Sequence, residues 1–377
     1  MSKTKLQQLA DLGQSIWIDY INRSILESGK LKEWIDLGLR GMTSNPTIFN
    51  QVISSSADYD HKIMELKEVG KSTFEIYDEL TIRDIQEACD LFKPVYEKTN
   101  RLDGYVSLEI NPQLADDTEA SIKEGKRLFK KVDRPNVMIK VPATQAGFPV
   151  IEELLADEVN VNVTLIFSLE QYAETVQAFL RGLNRLASKN SDLSFVRSVA
   201  SVFVSRIDNA VDALLDEKIA QATNESTKEK LRSLKGKAAV ANCRLIFEKF
   251  RELFVSDAYR SLAPKKADVQ RLLWGSTSTK NPDYSDIKYV SELIARPTVN
   301  TMPEKTLMAF LDHGVVKESL GGDIKEAQDL CTTLKQQGID IHQVCAKLLQ
   351  EGVKAFEDSF EALLATIEKK AKELCPR

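Results

Sequence analysis

Eight short apolar runs, separated by segments whose apolar residues recur every three or four positions, constrain this chain more than any other feature. The runs are SIWID (15–19), RGMTS (40–44), GYVSLEI (104–110), NVMIKV (136–141), VNVTLIF (161–167), VRSVASVF (196–203), RLLWGS (271–276) and PTVNTM (297–302). The stretches TEASIKEGKRLFKKV (118–132) and LEQYAETVQAFLRGLNRLA (169–187) between them carry a helical period. Strands alternating with helices imply parallel β/α units. Eight such units imply a (β/α)₈ TIM barrel of the α/β class, with additional helices, rather than an open sheet.

The spacing of the runs is uneven. About 60 residues separate the second and third, and nearly 70 the sixth and seventh. Both gaps read as helices, at 59–69 and 74–98 in the first and at 206–221 and 225–254 in the second. We therefore expect one barrel domain over 1–377, with helical insertions at about 50–100 and 206–260. A C-terminal helical segment at about 325–377 follows a Gly-Gly break at 321–322. No Pro/Ser-rich linker divides the chain.

Charge and composition exclude several classes of function. The formal charge is −5, with acids and bases mixed along the chain, so there is no basic stripe for nucleic acid. An anionic substrate needs local basic residues instead. Five cysteines stand without a CxxC pair, which fits a reducing compartment. No apolar run reaches the roughly 18 residues of a membrane span, and the N-terminal stretch lacks a signal peptide's apolar core. These features make the cytoplasm the expected location. His61, His313 and His342 are far apart, with no HxH or HExxH spacing, so no metal site is expected.

Barrel enzymes carry their chemistry where strands end and βα loops begin. The polar residues at those positions are Asp19, Asn45, Glu109, Lys140, Asn162, Thr164, Ser201, Arg206, Ser276, Ser278 and Lys280. Lys140 is the sharpest, because it lies inside an apolar strand. Burying an unpaired ammonium is costly, which favours the neutral, nucleophilic amine. A lysine snorkelling from the strand end, or paired with a core carboxylate, fits the same pattern. Glu109 points opposite to Leu108 and Ile110, and a buried ion pair with Lys140 accounts for it equally well. Asp19 also fits a simple cap. Asn45 also fits an Asn-Pro turn, and Thr164 an ordinary β-branched strand residue. Their joint placement at strand ends is what points to a site.

Asp19 together with TSNPTIF (43–49), SLEINP (107–112), TEASI (118–122), MIKVPAT (138–144), NVTLIFS (162–168) and SVFVSRID (201–208) resembles the transaldolases, block by block and in the same order. The resemblance covers about residues 15–280. The length is similar to that of the longer bacterial subgroup and exceeds that of the short fructose-6-phosphate aldolase-like relatives. The resemblance implies transfer of a dihydroxyacetone unit from a ketose phosphate (sedoheptulose 7-phosphate or fructose 6-phosphate) to an aldose phosphate. The acceptor would be glyceraldehyde 3-phosphate or erythrose 4-phosphate, in the non-oxidative pentose phosphate pathway. It implies a Schiff base on Lys140, Asp19 as acid/base, and a water held by Glu109 and Thr164. Asn45, Asn162 and Ser201 would contact the donor, Phe203 would wall the pocket, and Arg206 would hold phosphate.

One position departs from the family pattern, which has a second arginine after the seventh strand. Here WGSTSTKNPDY (274–284) offers Lys280, which holds phosphate only as a point charge. No cofactor is implied, and there is no Gly-rich phosphate cup of the kind a pyridoxal phosphate enzyme would need. The expected partners are small-molecule sugar phosphates, bound by a monomer or homodimer. Two other readings remain open: an aldolase on the same scaffold that releases free dihydroxyacetone, and a non-catalytic barrel that binds sugar phosphates.

Overall fold

The structure is a computed structural model that describes residues 3–322 and 324–375. Eight parallel strands close into a barrel in sequential order, with the first paired to both the second and the eighth. They are β1 (Gln14–Asp19), β2 (Gly41–Thr43), β3 (Tyr105–Glu109), β4 (Val137–Pro142), β5 (Val161–Ile166), β6 (Ser198–Phe203), β7 (Arg271–Gly275) and β8 (Thr298–Met302). All eight expected runs contain a strand. The observed strands are mostly shorter, because the flanking residues have already turned into loops.

The helices between strands form for local reasons. Thr118–Val132 begins at Asp117, whose carboxylate accepts the Ala120 N–H at 2.9 Å, and ends at Asp133 in the left-handed region. Its buried residues Ser121, Gly125, Leu128 and Val132 share one face. A Cβ at Gly125 would meet Leu154 at 2.8 Å, so the next helix, Gly147–Ala156, packs close only because this residue is glycine. The expected helix over 225–254 is in fact two, Glu225–Arg232 and Ala238–Leu253. Between them Gly236 adopts a φ of +69°, which breaks the helical path.

The lumen is filled at its lower end. Trp17, Tyr105, Met138, Val199, Leu273 and Val299 form an inner core, with Tyr96 edge-on to Tyr105. Gly41 admits the Trp17 indole, since a Cβ there would sit 2.6 Å from the ring. Below this core, Arg271 reaches across the barrel. It donates to Ser15 Oγ at 2.9 Å, Asp103 Oδ1 at 2.8 Å and the Leu102 carbonyl at 2.6 Å. Ser15 in turn donates to Asp103 Oδ2 at 2.8 Å. The ion pair is buried, with both charges fully engaged.

The helix Ile341–Leu374 lies across the opposite end, over the C-terminal ends of the strands. Its buried residues include Leu348, Gly352, Phe356, Phe360, Leu363 and Ile367, a stripe at helical spacing. Cys345 contacts the Phe167 carbonyl at 3.4 Å, and Ser359 accepts from the Thr47 hydroxyl at 2.8 Å. Thr366 donates to Asn50 at 2.9 Å. Near the helix end Lys369 and Lys372 are exposed, whereas Lys370 is drawn in to Asp60 at 2.6 Å and the Ser56 carbonyl at 2.7 Å. No helix of the described residues is long and apolar enough to cross a membrane.

The lower end should govern stability without governing chemistry. Asp103→Ala leaves the Arg271 guanidinium buried and unpaired, a loss of about 3–5 kcal/mol. The expected result is a much lower melting temperature with turnover per folded molecule retained at low temperature. A melting temperature within about 2 °C of the wild type would show that the pair contributes little.

Candidate active site

Strand register brings the polar residues together. Asp19 pairs with Thr43, Glu109 with Lys140, Lys140 with Asn162, and Pro142 with Thr164. The strand ends surround a cleft of about 690 Å³. Its walls include Asp19, Asn45, Lys140, Asn162, Thr164, Ser201, Phe203, Arg206 and Lys280. Of the ten residues to which a role was assigned, nine therefore border one space. Glu109 is the tenth, and it borders a small separate space that, among the described residues, shares only Phe356 with the cleft.

Lys140 is 5% exposed, and its Nζ donates to the Ser44 carbonyl at 3.1 Å. Glu109 Oε2 stands 3.6 Å from this nitrogen, an ion-pair distance beyond good hydrogen-bond reach. That oxygen, like the buried Thr164 Oγ1, has no hydrogen-bond partner among the described residues. Burial pushes the Glu109 carboxyl up to about 7, with Lys140 opposing and Asp19 adding to the rise. Asp19 keeps part of its surface open to the cleft. Desolvation still raises its carboxyl above the usual range, against Lys140 and the Thr43 hydroxyl, which donates to Oδ1 at 2.7 Å. Two carboxylates thus feel the charge of one amine, and burial raises both of them against it.

The polar side chains on the far wall hold one another. Ser201 donates to Asn162 Oδ1 at 2.6 Å, and Asn162 Nδ2 donates to Ser107 Oγ at 3.0 Å. One amide hydrogen of Asn162 remains for a ligand. Asn45 does serve as a turn and cap residue, since its Oδ1 accepts the Ile48 N–H at 3.0 Å. Its Nδ2 is left over, and it borders the cleft. Between Val163 and Ile166 the β5 ladder slips, with Leu165 at a φ of +59°. Thr164 lies at the start of that irregularity.

Arg206 makes no ion pair among the described residues, and its guanidinium lies 5.3 Å from the Phe203 ring. Burial lowers its pKa, with Glu351 opposing, but an arginine stays charged. Two carboxylates on the same helix, Ser205–Gln221, tie it to the loop that carries Lys280. Tyr284 donates to Asp212 at 2.6 Å and Tyr289 to Asp208 at 2.9 Å. Ser276, Ser278 and Lys305 add hydroxyls and a second lysine to the same wall.

Several contributors escaped the sequence reading. Thr43 donates to Asp19 and stands 2.8 Å from Thr301, whose place there follows only from register. Thr43, two positions before Asn45 in TSNPT, carried a usable signal. Phe356 also lines the cleft, 5.7 Å from Lys140 Nζ, yet it lies more than 200 residues away in sequence. No local pattern marks it.

The family described as Transaldolase/Fructose-6-phosphate aldolase matches residues 16–367. The chain belongs to that family. It is 44% identical over 379 aligned residues to a transaldolase of Trichodesmium erythraeum, covering all of both chains. It is 43% identical to Transaldolase 2 of a Nostoc species, again over all of both. A transaldolase of Saccharopolyspora erythraea is 45% identical over 97% of each chain. The relatives are transferases by name, and the chain is an enzyme of their family.

Glu109 should leave a pH signature. Its carboxyl is protonated up to about 7 in the fold, but only up to the usual 4.5 or so in the unfolded chain. It therefore favours folding most at acid pH, and that advantage fades as pH rises through about 7. Glu109→Gln removes the titration. The melting temperature of wild type relative to Glu109→Gln should be higher at pH 5 than at pH 8. An equal difference at both pH values would show that Glu109 titrates normally.

Proposed function

We propose that this enzyme is a transaldolase acting through a Schiff base on Lys140. The observation that carries the reading is a buried amine that borders the cleft with a carboxylate on either side. The neutral amine of Lys140 attacks the ketose carbonyl, and the carbinolamine loses water to give an imine. Glu109, beside the nitrogen, exchanges the protons of that step, with Thr164 helping to hold the water. Asp19 then takes the proton of the hydroxyl on C4, and the C3–C4 bond breaks. Its electrons move into the protonated imine to form an enamine, and an aldose phosphate leaves. An acceptor aldehyde takes the enamine carbon, and the steps reverse to release a ketose phosphate three carbons longer than the acceptor.

The donor is fructose 6-phosphate or sedoheptulose 7-phosphate, and the acceptor is erythrose 4-phosphate or glyceraldehyde 3-phosphate. Asn45, Asn162 and Ser201 hydrogen-bond the dihydroxyacetone part. Arg206 and Lys280 hold the phosphate at the outer wall, and Arg206 supports this by having no carboxylate of its own. In this reading the reaction belongs to the non-oxidative pentose phosphate pathway in the cytoplasm. All five cysteines being free supports a reducing compartment.

Turnover of fructose 6-phosphate should depend on an added aldose phosphate, whereas rapid release of free dihydroxyacetone without one would favour an aldolase. Arg206→Ala loses a charge-assisted contact worth roughly 1.5–3 kcal/mol, so kcat/KM for fructose 6-phosphate should fall about ten- to a hundredfold. Unphosphorylated fructose should be nearly unaffected. Lys280→Ala should act in the same direction but less. Equal losses on both sugars would remove the phosphate role from Arg206, and a silent Lys280→Ala would remove it from Lys280.

A further inference from the structure

The helix Ile341–Leu374 touches the site through one aromatic ring. Phe356 is 6% exposed, and its ring centroid lies 5.7 Å from Lys140 Nζ. It borders the large cleft on one side. On the other it borders the small space formed by Glu109, Ile110, Pro142, Leu165 and Val353. Phe356 is the single side chain that lines both, among the described residues. The ring is the partition between them.

The two spaces differ in kind. The cleft is wide and polar enough for a sugar phosphate. The space beside Glu109 is about 10 Å³, the threshold at which a cavity admits one water. Close docking keeps the ring in place. One turn before Phe356, Gly352 lies against Leu165, where a Cβ would come within 3.0 Å of Cδ2. That Leu165 is the residue in the left-handed region at the β5 irregularity. On its other side Ser359, three residues on, accepts from the Thr47 hydroxyl.

We propose that Phe356 determines how the enamine on Lys140 divides between acceptor and water. This rests on the Schiff-base reading above. Water destroys the intermediate in two steps. The enamine carbon first gains a proton to give the protonated imine. One water then adds to the imine carbon, the C–N bond breaks, and dihydroxyacetone and the Lys140 amine are freed. The first step competes directly with the acceptor aldehyde. Between departure of the first aldose and arrival of the second, the cleft side is open by necessity. Phe356 closes the other side, and it limits the space beside Glu109 to room for about one water. Removing the ring joins the two spaces and gives a chain of waters access to the enamine.

The readout is a ratio, which a merely structural residue does not move. Dihydroxyacetone release from fructose 6-phosphate alone is compared with transfer to erythrose 4-phosphate, in wild type, Phe356→Ala and Phe356→Leu. The release-to-transfer ratio should rise about tenfold or more in Phe356→Ala, and less in Phe356→Leu, which keeps most of the packing. Thr366→Ala loosens the same helix at its far end and should leave the ratio at the wild-type value. An unchanged ratio in a folded Phe356→Ala overturns the proposal. So does an equal rise in Thr366→Ala, which would assign the effect to helix docking in general. If Phe356→Ala does not fold, an unchanged ratio in Phe356→Leu overturns it. If borohydride traps no adduct on wild-type Lys140, the Schiff-base reading itself falls and takes this proposal with it. An adduct with an unchanged ratio sinks the proposal alone.

Discussion

An amine and a carboxylate on paired residues of neighbouring strands, 3.6 Å apart and both about 95% buried, set the terms for the rest of this molecule. Two charges taken from water at that depth are costly unless each is well solvated by protein. Here neither is. Lys140 has one backbone carbonyl, and one oxygen of Glu109 has no hydrogen-bond partner among the described residues. Around the pair several polar side chains are held by hydrogen bonds, although among the described residues Thr164 Oγ1 is not. Thr43 braces Asp19, Ser201 and Ser107 fix Asn162, and Asn45 closes the start of its own helix. Under-satisfied buried polar groups of this kind cluster at reacting sites.

The barrel divides this burden between its ends. The lower end holds Arg271, Asp103 and Ser15 in a closed network, above which the lumen is filled by aromatic and aliphatic side chains. The upper end keeps an unpaired arginine and a strained leucine. Cross-strand pairing transmits rigidity from one to the other, so the catalytic groups hang from a packed base. The long C-terminal helix then covers part of the open end and supplies apolar surface that the strands do not.

Much of this was legible in the sequence for a physical reason. A barrel repeats one unit, so alternating apolar runs and helical periods expose its strands, and site residues sit at predictable strand ends. Asp19, Lys140, Asn162 and Ser201 were found that way. Glu109 and Lys140 were expected to be neighbours because consecutive strands of a barrel pair. What local pattern could not supply was distance. The approach of Phe356 to Lys140, the tie from Tyr284 to Asp212 and the capture of Lys370 by Asp60 each join segments far apart in the chain. The helix break at Gly236 was missed because one glycine inside a helical period is often tolerated.

The central claim is that Lys140 carries the substrate covalently. The most direct measurement is peptide mass mapping after sodium borohydride reduction in the presence of fructose 6-phosphate. The account predicts a three-carbon adduct confined to the peptide that contains Lys140, and none when the ketose is omitted. An adduct on a different lysine, or an unmodified Lys140 peptide in an enzyme that is turning over, would contradict it.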